Sequence, residues 1–86
     1  MVKQTKLISN IVNQSFVEIF KTNVSNQQLA NQIVGDLKQL YPYYRINFDL
    51  EDYDKVLRIE GNNSIDILEI LNYGKNHNIH IELINY

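Results

Sequence analysis

The 86-residue sequence has no cysteine, no tryptophan, a single proline and three glycines. Without cysteine there is no disulfide framework, no thiolate metal site and no cysteine nucleophile. The glycines Gly35, Gly61 and Gly74 stand alone, so no glycine-rich phosphate loop is present. No stretch approaches the ~18 consecutive apolar residues of a membrane span. The start, MVKQTKLISNIVNQ, has neither a continuous apolar segment nor a small-residue cleavage site and does not read as a signal peptide. A cytoplasmic protein without membrane contact is therefore expected. Excess positive charge is also missing: the net charge is −2, which argues against a nucleic-acid binder driven by bulk positive potential.

What is present suits one small globular domain, stabilised by packing alone. The hydrophobic fraction is 44% and the charged fraction 21%, and twelve isoleucines supply β-branched core material. The 18 asparagines and glutamines are scattered and form no polar tract. Residues 1–14 place Leu7, Ile8, Ile11 and Val12 at helical spacing, and are read as an N-terminal tail or short helix. Residues 15–86 form the domain.

Within that domain, SFVEIFKTNV (15–24) is rich in β-branched and aromatic residues and reads as a strand. From Ser25, the apolar residues Leu29, Ile33, Val34, Leu37 and Leu40 recur with a 3.6-residue period, giving an amphipathic helix. It should stop near Leu40, because Tyr41 precedes Pro42 and is driven out of the helical region. YRINFDL (44–50) alternates with Ile46, Phe48 and Leu50 on one face, EDYD is a turn, and KVLRIEG (55–61) completes a hairpin. Ser64 is the expected cap of a second helix carrying Ile65, Ile67, Leu68, Ile70 and Leu71, and IHIELI (79–84) is the last strand. The order β-α-β-β-α-β predicts an α+β, ferredoxin-like fold: a four-stranded antiparallel sheet with both helices on one face. Gly35, inside the first helix, is expected to permit close contact with the sheet.

On these residues the chain resembles the heavy-metal-associated domain, the fold of small copper chaperones, over roughly residues 18–84. That family places Met-Thr-Cys-x-x-Cys-Ala between its first strand and first helix, and the matching run here is Val24-Ser25-Asn26-Gln27-Gln28-Leu29-Ala30. INFDL resembles its second strand, and Ser64-Ile65-Asp66 resembles the start of its second helix. The resemblance implies the fold but not the chemistry, because Asn26 and Leu29 stand where the family has its two cysteines. A carrier of soft metal ions needs paired thiolates at a helix N-terminus, whereas an amide is a neutral, hard ligand and leucine is none. Leu29 is expected to turn inward. Ser25 and Gln28 have the spacing of a capping box, so this stretch also has a purely structural explanation.

Other motifs are sparse. His77 and His80 form an H-x-x-H pair with no third clear ligand. By the resemblance, His77 falls in the loop before the last strand, where copper chaperones often hold a lysine near the metal. His80 and Glu82 should share a strand face. The acidic run Asp49–Asp54 lacks the glycine and distal glutamate of a calcium loop, and reads as a hairpin tip with turn-forming aspartates. No serine has nucleophile-elbow context, and no carboxylate pair sits in a predicted pocket, so no enzyme is expected. KVLRIEG carries no aromatic and no RNA-binding signature, so nucleic acid is not an expected partner. The open sheet face is read as a mixed-charge surface of Lys21, Arg45, Asp49, Arg58, Glu60, His80 and Glu82.

The expected function is a non-catalytic, cofactor-free domain that binds an unidentified protein partner through Ser25, Asn26, Gln27 and Gln28, with the His77 loop beside them. The alternative is a sensor of a small ligand or anion held by free N–H groups at the first helix start. A metal carrier using His77 is a remote third reading. Oligomeric state is not legible from these features.

Overall fold

Apolar residues at every second position of a strand, and at every third or fourth position of a helix, decide which surfaces meet. The computed structural model describes residues 15–84, so the expected tail or short helix at residues 1–14 lies outside the described residues. The chain forms β1 (Phe16–Thr22), α1 (Gln27–Leu40), β2 (Arg45–Asp49), β3 (Val56–Gly61), α2 (Ile67–Asn76) and β4 (Ile81–Leu83). The sheet order is β2-β3-β1-β4 with every neighbouring pair antiparallel, which is the expected ferredoxin-like arrangement.

Register brings apolar residues of all four strands together on the covered face. Phe20 of β1 lies opposite Leu57 of β3 and Leu83 of β4, and Leu57 lies opposite Phe48 of β2. One row along, Ile59 sits between Ile46 and Glu18. Ile33 and Leu37 of α1 and Ile70 of α2 close over these rows in a single cluster, so both helices cover the same face. Phe20, Ile33, Leu37, Leu57, Ile59 and Ile70 are wholly buried, each contributing about 2 kcal/mol by leaving water.

Helix ends differ in detail from the sequence expectation. The cap of α1 is Asn26, not Ser25: Asn26 is extended and its Oδ1 accepts the Leu29 N–H at 3.0 Å. Asparagine serves as well as serine at this position, and the helix buries Ala30, Ile33 and Leu37. Likewise Asp66, not Ser64, caps α2, and its Oδ1 accepts the Glu69 N–H at 3.2 Å. Ile65 before that cap and Ile70 in the second turn are both buried, the positions of a hydrophobic staple. α1 ends at Leu40, with Tyr41 as its non-helical C-cap, as the following proline predicts. α2 ends in a Schellman turn: Asn78 takes the left-handed conformation (φ 57°), and the N–H groups of Asn78 and Ile79 return to the carbonyls of Lys75 and Gly74.

Close approach is permitted by Gly74, and by Gly61 beneath the Tyr44 ring, not by Gly35. A methyl group on Gly74 would meet the Ile79 carbonyl oxygen and the Ile81 side chain at 2.8 Å, whereas Gly35 is exposed with nothing nearby. The hairpin tip is held by its own acids: Asp49 Oδ1 accepts the N–H groups of Glu51 and Asp52, and Asp52 Oδ1 accepts that of Asp54. That matches the turn reading of the acidic run.

The cap assignment predicts a mutational contrast. Asn26→Ala should lower unfolding free energy by about 1 kcal/mol, while Ser25→Ala should leave it within a few tenths. Paired urea titrations check this, and an equal loss from both substitutions would contradict the assignment.

Candidate functional site

Thr22 fixes the loop that leads into α1. Its buried hydroxyl donates to the Lys55 carbonyl at 2.7 Å and accepts the Val24 N–H at 3.1 Å, while its own N–H donates to the Asp54 carbonyl. Asn23 then ties this loop to the one before β4: its N–H donates to the His80 carbonyl, and its Oδ1 accepts the His80 N–H at 3.0 Å. The two loops expected to be neighbours do meet, and the contact runs through Asn23 and His80. His77 caps the C-terminus of α2, stacks on Tyr73 with ring centroids 4.1 Å apart, and donates from Nδ1 to the Tyr73 carbonyl. A carbonyl only accepts, so Nδ1 carries the proton in that bond.

Ser25, Asn26, Gln27 and Gln28 are all exposed. Of the two positions that the resemblance sets against paired cysteines, Asn26 is occupied in capping the helix and Leu29 packs half-buried against the core, as expected. Among the described residues no group of three or more histidine, aspartate or glutamate side chains converges as a metal site. For an anion, the Leu29 N–H is already taken by Asn26, which leaves the first turn with fewer free donors.

Of these four residues, Gln27 reaches a groove. About 280 Å³ lies between α1 and the outer side of β2, lined by Gln27, Ala30, Asn31, Val34, Ile46 and Phe48, with Asn47 at its edge. Gln27 Nε2 donates to Asn31 Oδ1 at 2.9 Å, and so fixes a pair of amides along its rim. The groove follows a free sheet edge, because β2 pairs only with β3 among the described residues.

The open face of the sheet is less polar than the sequence suggests. Its charged rows are present: Arg45 and Arg58 both approach Glu60, at 3.7 and 3.0 Å, Lys21 lies opposite Glu82, and His80 Nε2 meets Glu82 Oε1 at 3.2 Å. Between them runs an apolar strip. Val17 lies opposite Glu60, Ile19 opposite Arg58, and the Ile84 N–H donates to the Ile19 carbonyl. Because β1 carries apolar residues at both parities, alternation could not assign Val17 and Ile19 to a face.

A second feature escaped the sequence entirely. The helices are tied by two tyrosine–carboxylate hydrogen bonds: Tyr73 of α2 donates to Asp36 of α1 at 2.6 Å, and Tyr41 at the end of α1 donates to Glu69 of α2 at 2.5 Å. Burial raises both tyrosine pKa values well above 10.0, and the hydrogen bond to the carboxylate and its negative charge raise them further. Beside these bonds lies a groove of about 350 Å³ flanked by the exposed Leu40 and Leu68. The signal that could have found the pairs is residue spacing: Asp36 and Tyr73 project from the helices' adjoining flanks, but only the tertiary fold sets them opposite one another.

Of the known proteins compared with this chain, no family model, curated protein or solved structure matches it.

The tyrosine pairs generate a pH prediction. A folded-state pKa raised above 10.0 favours the neutral phenol, so this stabilisation is complete below pH 10 and is lost as pH rises toward the folded value. The protein should therefore lose stability above pH 10. Tyr41→Phe and Tyr73→Phe should each cost about 1 kcal/mol at neutral pH, and together should flatten the alkaline loss. Denaturant titrations between pH 7 and 11 check this, and an unchanged alkaline slope in the double variant would contradict it.

Proposed function

We propose that this chain is a non-catalytic, cytoplasmic protein-interaction module, a heavy-metal-associated-like domain without metal ligands, and that it binds its partner along the outer edge of β2. The outer edge of β2, unpaired among the described residues, carries this reading. β2 has five residues, contains no proline, and runs in continuous register with β3, so no bulge blunts it. Its inward side chains, Ile46 and Phe48, are apolar, and no inward charge guards the edge. Edge strands with these properties accept another strand, whose backbone completes the free N–H and C=O groups while alternate side chains enter the adjoining groove. The groove between α1 and β2 has the apolar floor for such side chains (Ala30, Val34, Phe48), and the Gln27–Asn31 amides supply a polar rim. Of the residues singled out in the sequence, Gln27 takes part in this surface, whereas Ser25, Asn26, Gln28 and His77 do not line it. The other edge is a poorer acceptor, because β4 is only three residues long and Lys75 and His80 stand beside it.

Asn31→Arg tests the reading, since it fills the groove from an exposed helix position. In affinity capture from cells of the source organism, wild type should retain a defined partner, and a folded Asn31→Arg protein should not. A partner held equally by both would overturn the β2 edge as the contact surface.

A further inference from the structure

The order of charges along β2 points to its occupant. Antiparallel strands read each other in reverse, and the β2 sequence Arg45-Ile46-Asn47-Phe48-Asp49 is complementary to its own reverse. Laid against a second β2 and centred on Asn47, it sets Arg45 of each copy opposite Asp49 of the other, so two opposite-charge pairs form from one register. On the covered face, Ile46 meets Phe48 and Phe48 meets Ile46. On the axis, Asn47 meets Asn47, and each amide offers both a donor and an acceptor. The backbone permits the register: every residue faces one of the same parity, so outward N–H and C=O groups meet outward groups whichever set points away from β3.

We propose that β2 pairs with β2 of a second copy of this chain, antiparallel and centred on Asn47, joining two four-stranded sheets into one across a two-fold axis. The proposal rests on the reading of β2 as the contact edge and names its partner. A two-fold contact is isologous, so each favourable pairing occurs twice and the assembly closes at two copies. The side chains are placed to take part. Arg45 has 78% of its side chain exposed, with its guanidinium 3.7 Å from Glu60, so it can reach an incoming carboxylate without leaving a close bond. Asp49 uses Oδ1 to hold the hairpin turn, and Oδ2 accepts no hydrogen bond among the described residues. The grooves between α1 and β2 of the two copies face one another across the axis, so Val34 and Phe48 of each can be covered by the other's inward side chains. The opposite edge fails the same comparison. Ile81-Glu82-Leu83 read against itself sets Glu82 opposite Glu82, and like charges directly opposed are repulsive.

The test is a charge-reversal exchange followed by sedimentation velocity. Wild type should pass from monomer to dimer as its concentration rises to hundreds of micromolar, a range that reaches weak self-association. Arg45→Asp puts four acids at the two contacts, and Asp49→Arg puts four arginines there, so each variant alone should stay monomeric. An equimolar mixture of the two restores opposite charges at both contacts and should sediment as a dimer. Asn47→Asp is the folding-safe variant. It places two acids on the axis but, within its own chain, lies opposite Arg58, so circular dichroism should match wild type while dimerisation weakens. A wild type that stays monomeric throughout overturns the proposal, as does a dimer unaffected by these substitutions or a mixture that stays monomeric while both variants are folded. If wild type is monomeric yet its captured partner is still lost on Asn31→Arg, self-pairing fails while the β2 edge remains a contact for another protein.

Discussion

A sheet covered on one face only is the constraint from which the rest of this structure follows. Two helices suffice to bury Phe20, Leu57 and Ile59 on the central strands, and nothing else in the described chain is available to cover the other face. With no cysteine to form a disulfide, that single apolar layer supplies most of the stability. Alternation in β2 and β3 follows directly, because only one parity can be apolar without exposing a large patch. Among the described residues the sheet also has two unpaired edges. β4 is short, whereas β2 has enough length to bind.

The loops are braced rather than loose. Thr22 and Asn23 join the end of β1 to the β2–β3 hairpin and to the segment before β4, so the start of α1 is held from two sides. The tyrosine–carboxylate bonds perform the corresponding task for the helices, since Asp36–Tyr73 and Tyr41–Glu69 link α1 and α2 at two points along their length. A polar link of this kind fixes the relative position of the helices more sharply than apolar contact alone, because a buried or partly buried phenol hydroxyl has few satisfactory geometries. The groove along β2 therefore lies beside a helix that is fixed in place.

Much of the fold was legible because periodicity reports burial. The Ile46–Phe48 alternation and the Ile33–Leu37 stripe each predicted a face correctly, and Pro42 marked the end of α1. What failed was local and degenerate. Ser25 and Asn26, or Ser64 and Asp66, are equally good caps by chemistry, and the folded backbone shows that Asn26 and Asp66 take the role. Gly35 and Gly74 look alike in sequence, yet only Gly74 meets the chain that returns through Ile79 and Ile81. The candidate site was legible only in part. The run Ser25–Gln28 was correctly placed at a helix start, but the groove beside Gln27 exists because β2 lies at the sheet's edge, and strand order is a property of the whole fold. The charge complementarity of RINFD became meaningful only once that edge was known.

Pairing of β2 with β2 of a second copy is the step on which the dimer depends, and a chain without cysteine offers a direct measurement of it. Asn47→Cys introduces one thiol at the proposed axis, where opposed Cα atoms of paired strands lie about 4.5–5.5 Å apart, within disulfide reach. Arg45→Cys introduces one thiol four residues from its symmetry mate, roughly 13 Å away and out of reach. After mild oxidation, non-reducing electrophoresis should show covalent dimer for Asn47→Cys and monomer for Arg45→Cys. Absence of dimer from folded Asn47→Cys protein, or equal cross-linking of both variants, would contradict that pairing.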